Sequence, residues 1–307
     1  MPLASLIEMY EKANAEKYAI PQFNVNNLEF IQAAIEVAEE KKAPIILAAS
    51  TSAIKYAGIE YMMAMVRAGA AGVSVPIAMH LDHGATTADA KMCIDAGFTS
   101  VMIDASKEDF SVNISTTKEV VEMSKAGGIC VEAELGRLGG IEDEVVVDEK
   151  DAFLTDPGQA EEFVRESGCH ALAVAVGTSH GAYKFKHKAE LAMDRITEIK
   201  DRTKIALVLH GASGVGQELL DKAIKYGAEL PGAKGVPDEA YHDAVARGIN
   251  KINIDTDLRL AFMGAIREYF TENPSQFDPR KYLAAGKQAV MVQMRNKIDL
   301  FGCAGKG

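Results

Sequence analysis

Eight short apolar runs, each followed by a stretch with helical periodicity, leave this chain few folds to choose from. They occupy residues 18–23, 45–49, 77–81, 100–103, 129–134, 171–176, 206–209 and 249–254. Runs of this length between polar segments read as buried strands. Residues 29–41 illustrate the partner pattern: Ile31, Ala34, Ile35 and Ala38 make an apolar stripe backed by charge. Strands separated by single helices pair in parallel through right-handed crossovers. Eight such units close into a (β/α)8 TIM barrel of roughly 250 residues. The 307 residues thus accommodate one barrel domain over 1–307, with long loops and a helical extension from Asp278-Pro279-Arg280 to about Leu300. The other α/β architecture, an open doubly wound sheet, is marked by a Gly-rich turn after the first strand. Here that turn is Asn24-Val25-Asn26-Asn27, without glycine.

Three connections exceed what a barrel needs: 136–156, 177–188 and 226–237. Connections of this length serve as lids, interface elements or surface insertions. A formal net charge of -11 argues against nucleic acid or an anionic membrane as partner. It leaves a phosphorylated substrate open, since a few local donors suffice for that. No apolar run approaches the roughly 18 residues of a membrane span, and the N-terminal residues lack the pattern of a secretion signal. Cys93, Cys130, Cys169 and Cys303 form no CxxC pair and read as buried thiols of a reducing compartment. The expected location is the cytoplasm.

The strand ends carry the chemistry. In order they are Asn24, Ser50, Asp82-His83, Asp104, Glu132 with Glu134, His180, His210, and Asn253 with Asp255. In a barrel they ring one mouth, where catalysis takes place in this fold. Any one of them alone reads as a helix cap or turn residue; a polar group at all eight calls for another explanation. His83, His180 and His210 come from three different units and suit a catalytic zinc ion, which takes three protein ligands and an open position. Asp104 and Glu134 are placed to hold a second cation or to orient the imidazoles. His80 shares a face with Asp82 and reads as a supporting or packing residue. His170 sits at the wrong end of its strand, and His187 and His242 read as exposed. Gly211, Ala212 and Ser213 precede one helix and Asn253, Ile254, Asp255 and Thr256 open another. Both stretches lie after strands seven and eight, the common phosphate site of this fold.

Taken in order, several motifs resemble class II fructose-bisphosphate aldolase. They are Asn24-Val25-Asn26-Asn27, His80-Leu81-Asp82-His83-Gly84, Val101-Met102-Ile103-Asp104-Ala105-Ser106 and Glu132-Ala133-Glu134-Leu135-Gly136. Gly177-Thr178-Ser179-His180-Gly181, Leu209-His210-Gly211-Ala212-Ser213, Lys251-Ile252-Asn253-Ile254-Asp255-Thr256-Asp257 and Phe277-Asp278-Pro279-Arg280 continue the match through nearly the whole chain. The resemblance implies reversible cleavage of fructose 1,6-bisphosphate into dihydroxyacetone phosphate and glyceraldehyde 3-phosphate. It implies zinc on His83, His180 and His210, with Asp104 and Glu134 at a second divalent or monovalent cation. It makes Asp82 the acid/base at the C4 hydroxyl, and Glu142 the loop carboxylate that exchanges the proton on the dihydroxyacetone phosphate carbon. By the same resemblance, Gly181, Gly211, Ala212, Ser213, Asn253, Ile254, Asp255 and Thr256 match the dihydroxyacetone phosphate site, and Asn24 also binds substrate. Ser50 meets the aldehyde half, and Arg259 and Arg280 the far phosphate. Position 280 serves a neighbouring subunit in the family, which implies a homodimer or homotetramer. The chain departs from the family where Lys107-Glu108-Asp109 replaces a frequent histidine pair, and where Pro21-Gln22 replaces small residues.

Three other readings compete. A tagatose-bisphosphate aldolase would use the same zinc and acid/base groups; Asp255, often alanine there, and the insertion at 231–237 favour fructose. A Schiff-base aldolase would use Lys251 as amine nucleophile. A lysine supporting phosphate or a carboxylate fits better, since three histidines would otherwise lack a role. A non-catalytic sugar-phosphate-binding subunit would have no need to keep both Asp82 and Glu142.

Overall fold

The computed structural model describes residues 3–137, 139–142, 145–147, 153–180, 191–230 and 235–307, without the side chains of 139–142, 145–147, 179 and 180. The first half of the chain runs α1 (Leu6–Glu16), β1 (Ile20–Asn24), α2 (Leu28–Lys41), β2 (Ile45–Ser50), α3 (Thr51–Ala57), α4 (Ile59–Ala71), β3 (Ile77–Gly84), α5 (Thr87–Ala96), β4 (Ser100–Ile103), α6 (Phe110–Ser124) and β5 (Cys130–Leu135). An excursion follows, made of β6 (Gly139–Glu142) and β7 (Val145–Val147). Then come α7 (Pro157–Ser167), β8 (Ala171–Val174), β9 (Ser179–His180), α8 (Met193–Thr203), β10 (Ala206–Leu209) and α9 (Gln217–Lys225). The chain ends with α10 (Asp238–Ala246), β11 (Ile249–Ile254), α11 (Thr256–Glu272) and α12 (Pro279–Leu300).

Eight strands close into a barrel in the order β1-β11-β10-β8-β5-β4-β3-β2. All eight barrel pairings are parallel. These are the eight runs picked out by periodicity. Parallel strands covered by helices are buried on both faces, and the fully buried stretches of β1, β2, β4, β5, β8, β10 and β11 reflect this.

Local chemistry sets the helix starts. Asn27 caps α2 by accepting from Phe30 N at 3.1 Å, and Thr86 with Asp89 forms a capping box on α5. Asp156 and Asp278 cap α7 and α12, each with proline in the first turn. Such caps contribute about 1 kcal/mol each. Ahead of the barrel, α1 lies against β10 and β11, and Ala4 N donates to the carbonyl of Ile77, the first residue of β3, at 2.8 Å. At the other end, α12 packs on α2 and α11. All four cysteines are buried and free. Among the described residues, no helix is long and apolar enough to cross a membrane.

One expectation needs correction. The sixth barrel strand ends at Val174, so His180 does not lie at its tip. It belongs to β9, which pairs in parallel with β6 in a separate three-stranded sheet, β7-β6-β9. Part of the long connection 136–156 is therefore the β6–β7 hairpin, and its backbone brings Gly140 opposite His180.

Candidate active site

The barrel interior is polar from the middle upward. In the deeper layer, His80, Ser100, Glu132 and Lys251 are all inaccessible to solvent. Lys251 Nζ lies 2.6 Å from Glu132 Oε2, and His80 Nδ1 lies 2.8 Å from Ser100 Oγ, with its Nε2 3.3 Å from Lys251 Nζ. Burial and the lysine charge hold His80 neutral, pulling its pKa down to about 3. The same lysine, with His210, outweighs the effect of burial on Glu132 and keeps that carboxyl far below its ordinary range. The remaining oxygen of Glu132 faces His210 Nε2 at 2.9 Å. Lys251 thus supports a carboxylate, as the reading against a Schiff base expects.

One layer nearer the mouth, β3 carries Asp82 and His83 in succession. A regular strand sends consecutive side chains to opposite faces. Here the β3–β4 pairing slips by one residue between Leu81 and Gly84, a bulge that re-aims the strand end. His83 takes a φ of 49°, in the left-handed region where a non-glycine residue carries about 1–3 kcal/mol of strain. The outcome is convergence: ligand-capable atoms of Asp82, His83 and His210 lie within 4.8 Å of one another. The His83 and His210 rings meet edge to face with centroids 4.7 Å apart.

Each imidazole is oriented by acid groups. His83 Nδ1 lies 2.9 Å from Asp104 Oδ2, which assigns any cation-facing role to Nε2. Asp104 is itself fixed by Ser106, whose hydroxyl and N–H donate to Oδ1 at 2.7 and 3.1 Å. His210 Nδ1 lies 3.1 Å from Glu134 Oε2. Burial opposes protonation of both rings, but the surrounding carboxylates prevail and raise His83 to about 10 and His210 to about 8. In a second grouping among the described residues, ligand-capable atoms of His83, Asp104 and Glu134 also lie within 4.8 Å of one another. Two imidazoles and several carboxylates converging in a buried space form a donor set suited to a divalent ion such as zinc.

Asp82 is 2 % exposed and accepts from two amides, Asn24 Nδ2 at 2.8 Å and Asn253 Nδ2 at 3.1 Å. Asn24 is held in turn by Gln22 Nε2 at 3.0 Å. Burial pushes the Asp82 pKa upward, yet the charges of His83, His210 and Lys251 overcome it and the group titrates below its ordinary value. It stands ready as an ionised acceptor beside the histidine pair.

The other expected residues divide. Ser50 caps α3, accepting from Ala53 N at 3.3 Å. Ser213 Oγ accepts from Asp255 N at 3.3 Å, which brings the loops after β10 and β11 together and leaves the hydroxyl hydrogen to donate. Ala212, Ile254 and Asp255 are buried there, and Thr256 opens α11. Arg259 Nε binds Asp255 Oδ1 at 2.7 Å. Arg280 stands apart at the start of α12, its side chain 88 % exposed and paired with Asp278. The His180 and Glu142 side chains, Gly181 and His187 lie outside the described residues. His242 is exposed on α10, and His170 Nδ1 accepts from Val131 N at 3.0 Å, away from the mouth.

Strand spacing carries a signal for the Glu132–Lys251 pair. Glu132 precedes Glu134 by two positions, and Lys251 precedes Asn253 by two, so each points inward one layer deeper.

Residues 4–229 and 230–306 match the family model described as fructose-bisphosphate aldolase class-II. The chain belongs to that family. A class II fructose-bisphosphate aldolase is a carbon–carbon lyase, and similarity to individual members extends end to end. The fructose-bisphosphate aldolase of Thermus caldophilus is 48 % identical over 304 residues, covering 99 % of each chain. That of Giardia intestinalis is 47 % identical over 99 % of this chain and 94 % of its own. Among solved structures, the YdjI aldolase from Escherichia coli K12 superposes with a TM-score of 0.82 at 34 % identity, covering 99 % of each.

Proposed function

We propose that this aldolase cleaves D-fructose 1,6-bisphosphate reversibly into dihydroxyacetone phosphate and D-glyceraldehyde 3-phosphate, with zinc held by His83, His180 and His210. The observation that carries the reading is Asp82, clamped by Asn24 and Asn253 next to the paired imidazoles. Zinc held by these histidines would supply Lewis-acid chemistry at the substrate ketone. Asp82 takes the C4 hydroxyl proton, the step that opens the bond. Glu142 returns a proton to the dihydroxyacetone phosphate carbon. Asp104 and Glu134 orient the imidazoles and offer a place for a second divalent or a monovalent cation.

Gly181, Gly211, Ala212, Ser213 and the 253–256 turn receive the dihydroxyacetone phosphate half, with backbone N–H groups at helix starts facing its phosphate. Ser50 meets the aldehyde half. Arg259, with Arg280 supplied by a second subunit of a homodimer or homotetramer, clamps the far phosphate. The exposure of Arg280 in the single chain accords with that sharing. Fructose is favoured over tagatose by Asp255, which engages Arg259, and by the insertion over 231–237.

Parallel kinetics on fructose and tagatose 1,6-bisphosphates test this, with both triose phosphates assayed. Faster turnover of the fructose ester at limiting substrate is expected. Preference for tagatose would replace the substrate, and absence of triose phosphates from either would remove the reading.

A further inference from the structure

The loop after β10, residues 211–216, is gripped from three sides. Asp257, 1 % exposed in the first turn of α11, accepts from Gly214 N at 2.8 Å and Val215 N at 2.6 Å. Tyr241 of α10 donates its hydroxyl to the Ala212 carbonyl. From α12 comes Lys297, itself 5 % exposed, with Nζ 3.3 Å from Asp257 Oδ2 and 4.6 Å from the centre of the Tyr241 ring. The packing is close: a Cβ on Gly214 would lie 3.0 Å from Lys297 Nζ and 3.2 Å from the Tyr241 hydroxyl. Val215 is held at a φ of 44°, a left-handed conformation that a β-branched residue avoids unless its surroundings impose it.

We infer that Lys297, on the C-terminal helix, is a positioning residue for the substrate phosphate. It acts through Asp257 on the loop that presents Gly211, Ala212 and Ser213. The physical case is electrostatic. A carboxylate at this depth needs a cation beside it, and Lys297 is the ammonium in contact with it; Asp238 reaches the same ammonium from the rim at 3.7 Å. With its charge balanced, Asp257 claims the N–H groups of Gly214 and Val215. That fixes where the preceding three residues aim theirs, and it restrains Val215 against its own preference. The helical extension thereby has a task in the barrel mouth without touching substrate. The phosphate part of this inference rests on the function proposed above; the loop clamp does not.

The test compares wild-type protein with Lys297→Met and Lys297→Arg, using fructose 1,6-bisphosphate kinetics and amide hydrogen exchange of the loop. A phosphate anchor serves ground and transition states alike, so its disturbance raises KM and spares kcat. For Lys297→Met, KM is expected to rise roughly tenfold, the cost of weakening a charge-assisted contact, with kcat within about threefold. Lys297→Arg restores most of the affinity. Gly214 and Val215 amides exchange faster in Lys297→Met while barrel strands stay protected. Should Lys297→Met not fold, Lys297→Gln reads the same quantities. Unchanged loop exchange in a folded variant would overturn the clamp. Faster exchange with an unaltered KM would overturn the link to phosphate. A wild-type protein that leaves fructose 1,6-bisphosphate intact, with exchange still responding to Lys297, would sink the functional reading and keep the clamp.

Discussion

Lys251 Nζ stands 2.6 Å from one oxygen of Glu132, and the other oxygen of that carboxylate stands 2.9 Å from His210 Nε2. A lysine from β11 thus governs the aim of a histidine at the end of β10 through a carboxylate from β5. Breaking a buried pair by removing one partner costs about 3–5 kcal/mol, because the other charge is stranded. Lys251→Met and Glu132→Gln should each lower unfolding stability by about that amount, and the double variant should lose less than the sum. Each single change should also weaken zinc binding roughly 10–100-fold. Chemical unfolding and competition with a chelating dye measure the two effects. Additive stability losses would separate the two residues.

Asp82 leads to a different split. Asp82→Asn keeps the volume and removes the proposed proton acceptor, so turnover should fall by about 10²–10⁴ while KM stays near the wild-type value. Unaltered turnover would take Asp82 out of the mechanism.

The barrel and the mouth were legible in the sequence for one reason: strand and helix periods are local. The eight runs needed only spacing, and the polar residues that end them needed only a position within each unit. Other features depend on contacts between distant segments. His83 reaches the mouth beside Asp82 because a bulge and a left-handed φ override strand alternation, and no local propensity announces either. Lys297 meets Asp257 only once α12 has folded back onto the barrel. Spacing alone makes His180 a strand tip, whereas pairing with β6 places its backbone in the excursion sheet. A two-residue strand held by a distant partner leaves no periodic signal of its own.

Lys200 provides a pH test remote from the active site. Its Nζ donates to Ile205 O at 2.6 Å and Asn250 Oδ1 at 2.7 Å. Burial, aided by Lys204, draws its pKa from 10.5 down to about 8. The unfolded chain therefore binds this proton more readily, so the associated stability is present above pH 10.5 and is lost as pH falls through about 8. Relative to Lys200→Met, the wild type should gain stability as pH rises across that window. Urea unfolding at both ends checks it, and a difference that stays flat would refute the shift.

The proposed role of Asp255 in selectivity can be tested directly. It engages Arg259 at 2.7 Å, so Asp255→Ala should release the guanidinium and shift the fructose-to-tagatose ratio of kcat/KM toward tagatose by roughly tenfold, the scale of one charge-assisted contact. Paired kinetics on the two bisphosphates read the ratio. An unmoved ratio would place sugar discrimination elsewhere.

Stripping the protein of metal and titrating zinc back tests whether catalysis depends on the ion. Lyase activity on fructose 1,6-bisphosphate and the zinc X-ray absorption spectrum are followed together. No turnover is expected without metal, with recovery at one zinc per chain and imidazole nitrogens at about 2.0–2.1 Å. Full activity in the metal-free protein, or a zinc shell lacking imidazole, would contradict that expectation.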